Sequence, residues 1–166
     1  PSFSMYDIYA RIYNAKLIKV PIEDDGTMNA ETLIAYIKAY KPKVIFVCTP
    51  NNPTGGILKR QDMIKILQES QAIVVVDEAY MDFASDRETM VSFINTYKHL
   101  IVARTFSKAY GLAAYRLGYL VANQDIINDL LALKLPYNVN QASLEAGKSA
   151  CSMDDQVNNF IDDVIQ

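Results

Sequence analysis

Three short apolar runs, each followed by a polar loop, constrain the fold of this chain more than any other feature. They cover residues 43–48, 72–76 and 100–103. Continuous apolar runs of this length are typical of strands that are buried on both faces of a sheet. Helical patterns lie between the runs, so the order of elements predicts an α/β domain with a mostly parallel sheet.

The segments around these runs supply helices and a further strand. Asn29 is placed to be the N-cap of a helix with an apolar stripe formed by Leu33, Ile34, Ile37 and Tyr40. Further helices are predicted over residues 5–14, 58–69 and 90–97, and from 124 onward with an interruption at 136–138. Residues 16–20 are a short strand candidate. A last strand at 117–122 follows a short connection, and the pattern leaves its direction open.

Composition and charge exclude several classes of protein. A length of 166 residues suits one domain, and the net charge of −3 is spread along the chain without a basic patch, so nucleic acid is not an expected partner. The apolar runs are too short to span a membrane, and we expect no signal peptide. No metal site is expected, because Cys48 and Cys151 lack ligand spacing. Cys48 is predicted to be a reduced core thiol, which favours a cytoplasmic location.

Polar side chains follow each of the three predicted strands. Asn52 follows the first, Asp77 and Tyr80 follow the second, and the third leads to Lys108. Because the carboxyl ends of parallel strands meet at one edge of a sheet, we expect these side chains to converge. With Arg116 further along the chain, they include an amine that can form a Schiff base and a carboxylate that can face a ring nitrogen. Such a set suits a pyridoxal phosphate site.

Each of these residues also has an ordinary interpretation. Lys108 could be a solvated surface lysine, Asp77 a helix N-cap, and Asn52 a turn residue before proline. Arg116 could form a surface ion pair, and Phe3 could be a core residue. The order and spacing of the set along the chain, more than any single member, favour the functional interpretation.

The motifs resemble those of the fold-type I pyridoxal phosphate enzymes, the aspartate aminotransferase superfamily. The resemblance rests on the segments at residues 50–55, 77–80 and 105–108 and on Arg116. Residues 1–6, 104–112 and 136–140 are most similar to histidinol-phosphate aminotransferases. The resemblance implies the large domain of this fold, a three-layer α/β/α sandwich. It also implies that residues 1–166 are its central part, with an N-terminal segment and a C-terminal small domain expected outside them.

The resemblance assigns a role to each candidate residue. Lys108 would bind the cofactor covalently and carry a proton during catalysis, and Asp77 would pair with the ring nitrogen. Tyr80 and Asn52 would hydrogen-bond the ring oxygen. The cofactor phosphate would be held by Arg116, Thr105 and Ser107, and Phe3 would stack on the ring. The peptide bond between Asn52 and Pro53 is expected to be cis, as in the family.

The function implied is transamination, with histidinol phosphate as amino donor and 2-oxoglutarate as acceptor, in histidine biosynthesis. Within the same fold, an aromatic amino acid aminotransferase or a threonine-phosphate decarboxylase would use the same residues. A non-catalytic, aminotransferase-like scaffold is an alternative of another class. The resemblance also implies a homodimer for the intact enzyme. By itself, the chain is expected to bind the cofactor weakly and to turn over poorly.

Overall fold

The computed structural model describes residues 1–165 as α-helices and strands joined by loops and short 3-10 turns. The helices are α1 (Met5–Ile12), α2 (Ala30–Tyr40), α3 (Arg60–Glu69), α4 (Gln124–Leu133), α5 (Gln141–Ala150) and α6 (Asp154–Ile165). The strands are β1 (Val44–Cys48), β2 (Ile73–Asp77), β3 (Leu100–Thr105) and β4 (Gly118–Ala122). The α/β fold with a mostly parallel sheet is therefore confirmed.

The sheet follows the order of the chain, β1-β2-β3-β4. β1, β2 and β3 are parallel, and β4 runs antiparallel to β3. The antiparallel direction answers the question that the sequence pattern left open. Between β3 and β4 the chain forms only a 3-10 turn at Ala113–Tyr115, which is too short for the crossover that a parallel pair requires.

The main core lies between one face of the sheet and the helices α2 and α3. Alternate residues of the three parallel strands, such as Val47, Val76 and Val102, point into it and are fully buried. They meet Ile37 of α2 and Ile66 of α3. On the opposite face, Tyr6 of α1 stacks on Phe46 of β1, so helices lie on both faces of the sheet.

Local signals explain where some elements begin and end. Asn29 caps α2 as expected, its side chain accepting a hydrogen bond from the Thr32 N–H at 3.0 Å. The prediction of a strand over residues 16–20 is wrong, since that segment pairs with no strand in the described part of the chain. A strand needs a neighbour, and local β-propensity does not supply one. The helix predicted over residues 90–97 is reduced to a 3-10 turn at Val91–Phe93.

The three helices that follow β4 pack against β4 itself and against the loops of the sheet. α4 contacts β4, α5 contacts the turn at Ala113–Tyr115, and α6 contacts the turn at Met81–Phe83. The Ser143 hydroxyl of α5 donates to the Tyr115 carbonyl at 2.7 Å. The contacts of α5 and α6 attach these two helices to the loops that follow β3 and β2, on the side of the sheet where the candidate residues lie.

The described residues give no sign of a membrane span or a metal site. No helix within residues 1–165 combines the length and apolar character needed to cross a bilayer. The same residues contain no group of three or more His, Cys, Asp or Glu side chains placed to hold a metal ion. Cys48 is buried and unpaired, as the sequence predicted for a core thiol.

Truncating a core side chain should measure how much the packing of α3 stabilises the sheet. Ile66 is 0% exposed, and Ile66→Ala should lower the free energy of unfolding by about 2–5 kcal/mol because a cavity remains. Ile12→Ala, at a position that is 66% exposed, is the control and should change it by less than about 0.5 kcal/mol. Urea unfolding followed by circular dichroism measures both; equal losses would contradict this description of the core.

Candidate functional site

The register of the parallel strands places Asp77 between two small residues at the carboxyl edge of the sheet. Asp77 pairs with Cys48 of β1 on one side and with Ala103 of β3 on the other. Paired residues point to the same face of a sheet, and so does Thr105, two positions after Ala103. The thiol and the methyl group are short, so the Asp77 carboxylate stands at the edge without a bulky neighbour in either adjacent strand.

Two hydrogen bonds fix the Asp77 carboxylate. Oδ1 accepts from the backbone N–H of Ala79 at 3.1 Å, and Oδ2 accepts from the Tyr6 hydroxyl at 2.6 Å. The Tyr6 ring stacks on Phe46, with centroids 5.0 Å apart and planes 23° apart. Phe3 meets the Tyr6 ring edge-on at 5.6 Å, which places this sequence-predicted residue one side chain away from Asp77.

Lys108 and Tyr80 come together although they follow different strands. The Lys108 Nζ lies over the Tyr80 ring, 4.9 Å from its centroid, in cation–π geometry. Lys108 is exposed and Tyr80 is half-buried, so the amine is open to a ligand from solution. Since Tyr80 lies three positions after Asp77, the structure brings the predicted amine, phenol and carboxylate to the same edge of the sheet.

The turn before Lys108 is shaped by the predicted hydroxyl residues. Thr105 Oγ1 accepts from the backbone N–H of Ser107 at 3.1 Å and donates to the Leu117 carbonyl at 3.4 Å. Thr105 thus holds the turn against the start of β4. Both Thr105 and Ser107 are half-buried at the sheet edge. The single proton of the Thr105 hydroxyl is donated to Leu117, so a ligand that accepts from Thr105 would displace that contact.

Arg116 lies at the end of the 3-10 turn before β4. Its backbone is left-handed, with a φ of 53°, and its Nη1 donates to the Ala113 carbonyl at 2.9 Å. The side chain is exposed and bonded within its own turn. The structure therefore places the guanidinium in the loop after Lys108, and its role toward a phosphate remains a prediction.

The loop at residues 50–55, which follows β1, contains a residue to which the sequence analysis gave no role. Asn51 is buried; its amide donates to the Pro1 carbonyl and to Thr54 Oγ1, and its oxygen accepts from Ser2 Oγ. It thereby ties the first residues of the chain to this loop. Asn52 is half-buried and follows directly, and its bond to Pro53 is cis as expected. Residue type alone does not distinguish two adjacent asparagines.

A buried ionic network supports the loop after β2. Glu78 is 0% exposed and accepts from Arg104 Nε at 3.1 Å, from the Met90 N–H and from Thr89 Oγ1. Arg104 also donates to Asp82 at 2.9 Å. Burial disfavours the charge on Arg104, but Asp82 and Glu78 outweigh that effect and raise the pKa of its guanidinium. The network joins the end of β2 to β3, so Glu78 has a structural role.

The surroundings of Asp77 keep two nearby acids in their neutral forms. Burial, followed by the hydrogen bond to Asp77 and its negative charge, raises the pKa of Tyr6 well above its ordinary range. Burial also raises the pKa of the Cys48 thiol; the charge of Asp77 adds to this effect, and a hydrogen bond from the Asn52 backbone opposes it. At neutral pH the phenol and the thiol that lie beside Asp77 are therefore uncharged.

Comparison with known proteins identifies the family to which this chain belongs. The family model described as aminotransferase class I and II matches residues 1–166. A histidinol-phosphate aminotransferase of Thermoanaerobacter pseudethanolicus is 48% identical over 143 residues, which are 86% of this chain and 40% of that protein. The chain thus spans less than half the length of this relative.

Solved structures show the same fold. The histidinol-phosphate aminotransferase of Sinorhizobium meliloti, solved in complex with pyridoxal-5'-phosphate, superposes with a TM-score of 0.90 at 23% identity, covering 96% of this chain and 44% of that one. The L-threonine-O-3-phosphate decarboxylase of Porphyromonas gingivalis superposes with a TM-score of 0.77 at 30% identity, over 89% of this chain and 43% of that one.

The raised pKa of Tyr6 predicts a loss of stability in alkali. A group whose pKa is higher in the folded state contributes stability that is complete below its unfolded pKa, about 10 for tyrosine, and is lost above it. The free energy of unfolding should therefore fall above about pH 10, and Tyr6→Phe should reduce that fall.

Urea unfolding at about pH 9 and about pH 11 gives the comparison. Tyr9→Phe, at an exposed position on the same helix, is the control and should lose as much stability as the wild type. If the Tyr6→Phe and Tyr9→Phe curves run in parallel, the stated environment of the Tyr6 phenol is incorrect.

Proposed function

Because this chain belongs to the class I and II aminotransferase family, we propose that it forms the cofactor-binding core of a pyridoxal phosphate-dependent aminotransferase. One observation carries the proposal. The parallel register places the Asp77 carboxylate at the sheet edge, and the next strand leads to Lys108, whose Nζ lies over the ring of Tyr80. A carboxylate, an amine and a phenol are thereby gathered where ligands bind in open α/β sheets.

The residues fit the cofactor in charge and in hydrogen-bonding capacity. An ionised carboxylate has about four lone-pair positions, and Asp77 uses one on each oxygen. It can therefore accept a further bond from a protonated ring nitrogen. The hydroxyls of Thr105 and Ser107 and the guanidinium of Arg116 are donors of the kind that bind phosphate. Small neighbours at Cys48 and Ala103 leave room for a planar ring above the strands.

Each residue then has a defined task. When bound, pyridoxal phosphate supplies an aldehyde to an amine and a ring that accepts electron density from the substrate α-carbon. Lys108 binds the cofactor and later carries a proton to and from the substrate. Asp77 keeps the ring nitrogen protonated, and Tyr80 and Asn52 donate to the ring oxygen. Arg116, Thr105 and Ser107 hold the phosphate, and Phe3 covers a face of the ring.

We further propose that these residues are the central part of a larger enzyme's large domain. The relative from Thermoanaerobacter pseudethanolicus matches this chain over only 40% of its own length, which supports a longer enzyme; the central placement follows from the motif resemblance. The complete enzyme then supplies a second phosphate-binding loop, a small domain with an arginine for the substrate, and a homodimer interface. Without these parts, the chain binds the cofactor weakly.

Histidinol phosphate is the proposed amino donor, with 2-oxoglutarate as acceptor. The support is the name of the relative that is 48% identical to this chain. A threonine-phosphate decarboxylase is the second candidate, favoured by the structural neighbour at 30% identity. Both would act on phosphorylated amino compounds through the same cofactor residues, so the site described above serves either reaction.

Replacing Lys108 should separate a catalytic site from a scaffold. In the full-length protein that contains this chain, Lys108→Ala should abolish the yellow absorption band of bound cofactor. Transamination should fall by about 10²–10⁴-fold because the proton carrier is lost. Lys98→Ala, at another exposed lysine, is the matched control and should change neither. A folded wild-type protein that keeps no absorption band of bound cofactor, after incubation with excess cofactor and removal of the unbound part, would favour the scaffold.

Substrate rates should separate the two reactions. With full-length protein, we expect kcat/KM for histidinol phosphate to exceed that for threonine phosphate and for phenylalanine by about 10²-fold or more, because polar groups in a site reject substrates that leave them unpaired. Glutamate formation from 2-oxoglutarate measures transamination. Release of carbon dioxide from threonine phosphate at the highest rate would instead establish the decarboxylase.

A further inference from the structure

We infer that Tyr6 is a positioning residue for Asp77, and that its hydroxyl fixes the carboxylate orientation needed to meet the ring nitrogen of the cofactor. This inference rests on the proposed function. Tyr6 lies on α1, whereas Asp77 ends β2, and the two are 71 positions apart in the chain. Tyr6 would touch no reacting atom; it would act only through the carboxylate.

The contact has the geometry of a strong, charge-assisted hydrogen bond. The Tyr6 oxygen lies 2.6 Å from Asp77 Oδ2, within the range of O–H donors bonded to carboxylates. The second oxygen is held independently by the backbone N–H of Ala79. With one donor on each oxygen, the carboxylate plane is fixed, and rotation about its terminal bond would break both hydrogen bonds.

The Tyr6 side chain is itself held in place by aromatic contacts. Its ring stacks on Phe46 at 5.0 Å and receives the edge-on ring of Phe3 at 5.6 Å. Phe46 lies on β1, two positions before the Cys48 that pairs with Asp77. The direction of the Tyr6 hydroxyl is therefore set by ring contacts with a residue of β1, in the same sheet that carries Asp77.

The contact is also the means by which α1 reaches the site. α1 has no fully buried residue, and Ile8, Tyr9 and Ile12 are exposed. Among the described residues, Tyr6 is the member of this helix that both stacks on the sheet and bonds to a candidate catalytic group. A buried tyrosine hydroxyl needs a hydrogen-bond partner in any role, and here that partner is the carboxylate of a candidate catalytic residue, which lies on a different element.

The groups around the Tyr6 hydroxyl favour its role as a donor. Asp77 and Cys48 are the ionisable groups that face it, and both disfavour loss of its proton. A phenol that keeps its proton can only donate to a carboxylate. Its proton is therefore directed at Asp77 Oδ2, which leaves the remaining lone pairs of the carboxylate for a ring nitrogen.

Tyr6→Phe tests the inference because it removes one oxygen and retains the ring that stacks on Phe46. In the full-length protein, titration with pyridoxal phosphate should show about tenfold weaker binding, as expected for loss of one hydrogen bond to a charged group. The pH midpoint of the bound cofactor's visible band should also move. Tyr9→Phe, on the exposed side of α1, should alter neither quantity.

A structure of ligand-free Tyr6→Phe gives a readout that does not involve the cofactor. We expect the Asp77 carboxylate to rotate away from its wild-type orientation, whereas in Tyr9→Phe it should keep its bond to Tyr6. Unchanged affinity and an unmoved band in Tyr6→Phe, even with a lower melting temperature, would overturn the positioning role alone. If the wild-type protein binds no pyridoxal phosphate at all, the proposed function fails, and this inference fails with it.

Discussion

The parallel pairing of β2 with β3 aligns Asp77 with Ala103 and sends the chain on to Thr105 and Lys108 at the same edge of the sheet. The other features of the site depend on this register. A shift of one residue would turn Asp77 to the opposite face, into the core beneath α2 and α3, where an unpaired carboxylate would be strongly unfavourable. The apolar residues that alternate with Asp77 in β2, Val74 and Val76, are fully buried and hold the register against such a shift.

The register also determines the polar contacts of the two adjacent acidic residues, Asp77 and Glu78. Next to Asp77, Glu78 points in the other direction and is satisfied by Arg104 and by the turn at residues 89–90. Breaking a buried ion pair of this kind is strongly destabilising, so the network fixes the loops between which the candidate residues lie. Adjacent acidic residues thus have opposite tasks. Glu78 is paired with Arg104 inside the protein, and Asp77 keeps spare acceptor capacity at the edge.

Much of this arrangement could be predicted from the sequence, because its signals are local. The apolar runs identified the strands that became β1, β2 and β3, and Asn29 identified the start of α2. The polar residues after each run identified the candidate site because parallel strands direct their ends to one edge. The direction of β4 could not be predicted from the residues of β4 alone. It depends on the connection from β3, which holds only a short 3-10 turn.

The parts that sequence analysis missed depend on partners far away in the chain. Tyr6 and Asp77 meet across 71 positions, and Asn51 holds residues at the start of the chain. No periodicity or spacing signals such contacts. The strand expected over residues 16–20 failed for the same reason, since its local pattern was adequate but no neighbouring strand was available to pair with it.

Chemical trapping of the cofactor tests the central claim most directly. Pyridoxal phosphate would be added to the full-length protein, and borohydride would reduce the Schiff base that it forms with a lysine. Mass spectrometry of peptides would then locate the modified lysine. We expect the modification to lie on Lys108, in the peptide that follows β3. Modification spread over exposed lysines such as Lys98 and Lys134, with Lys108 unlabelled, would contradict it.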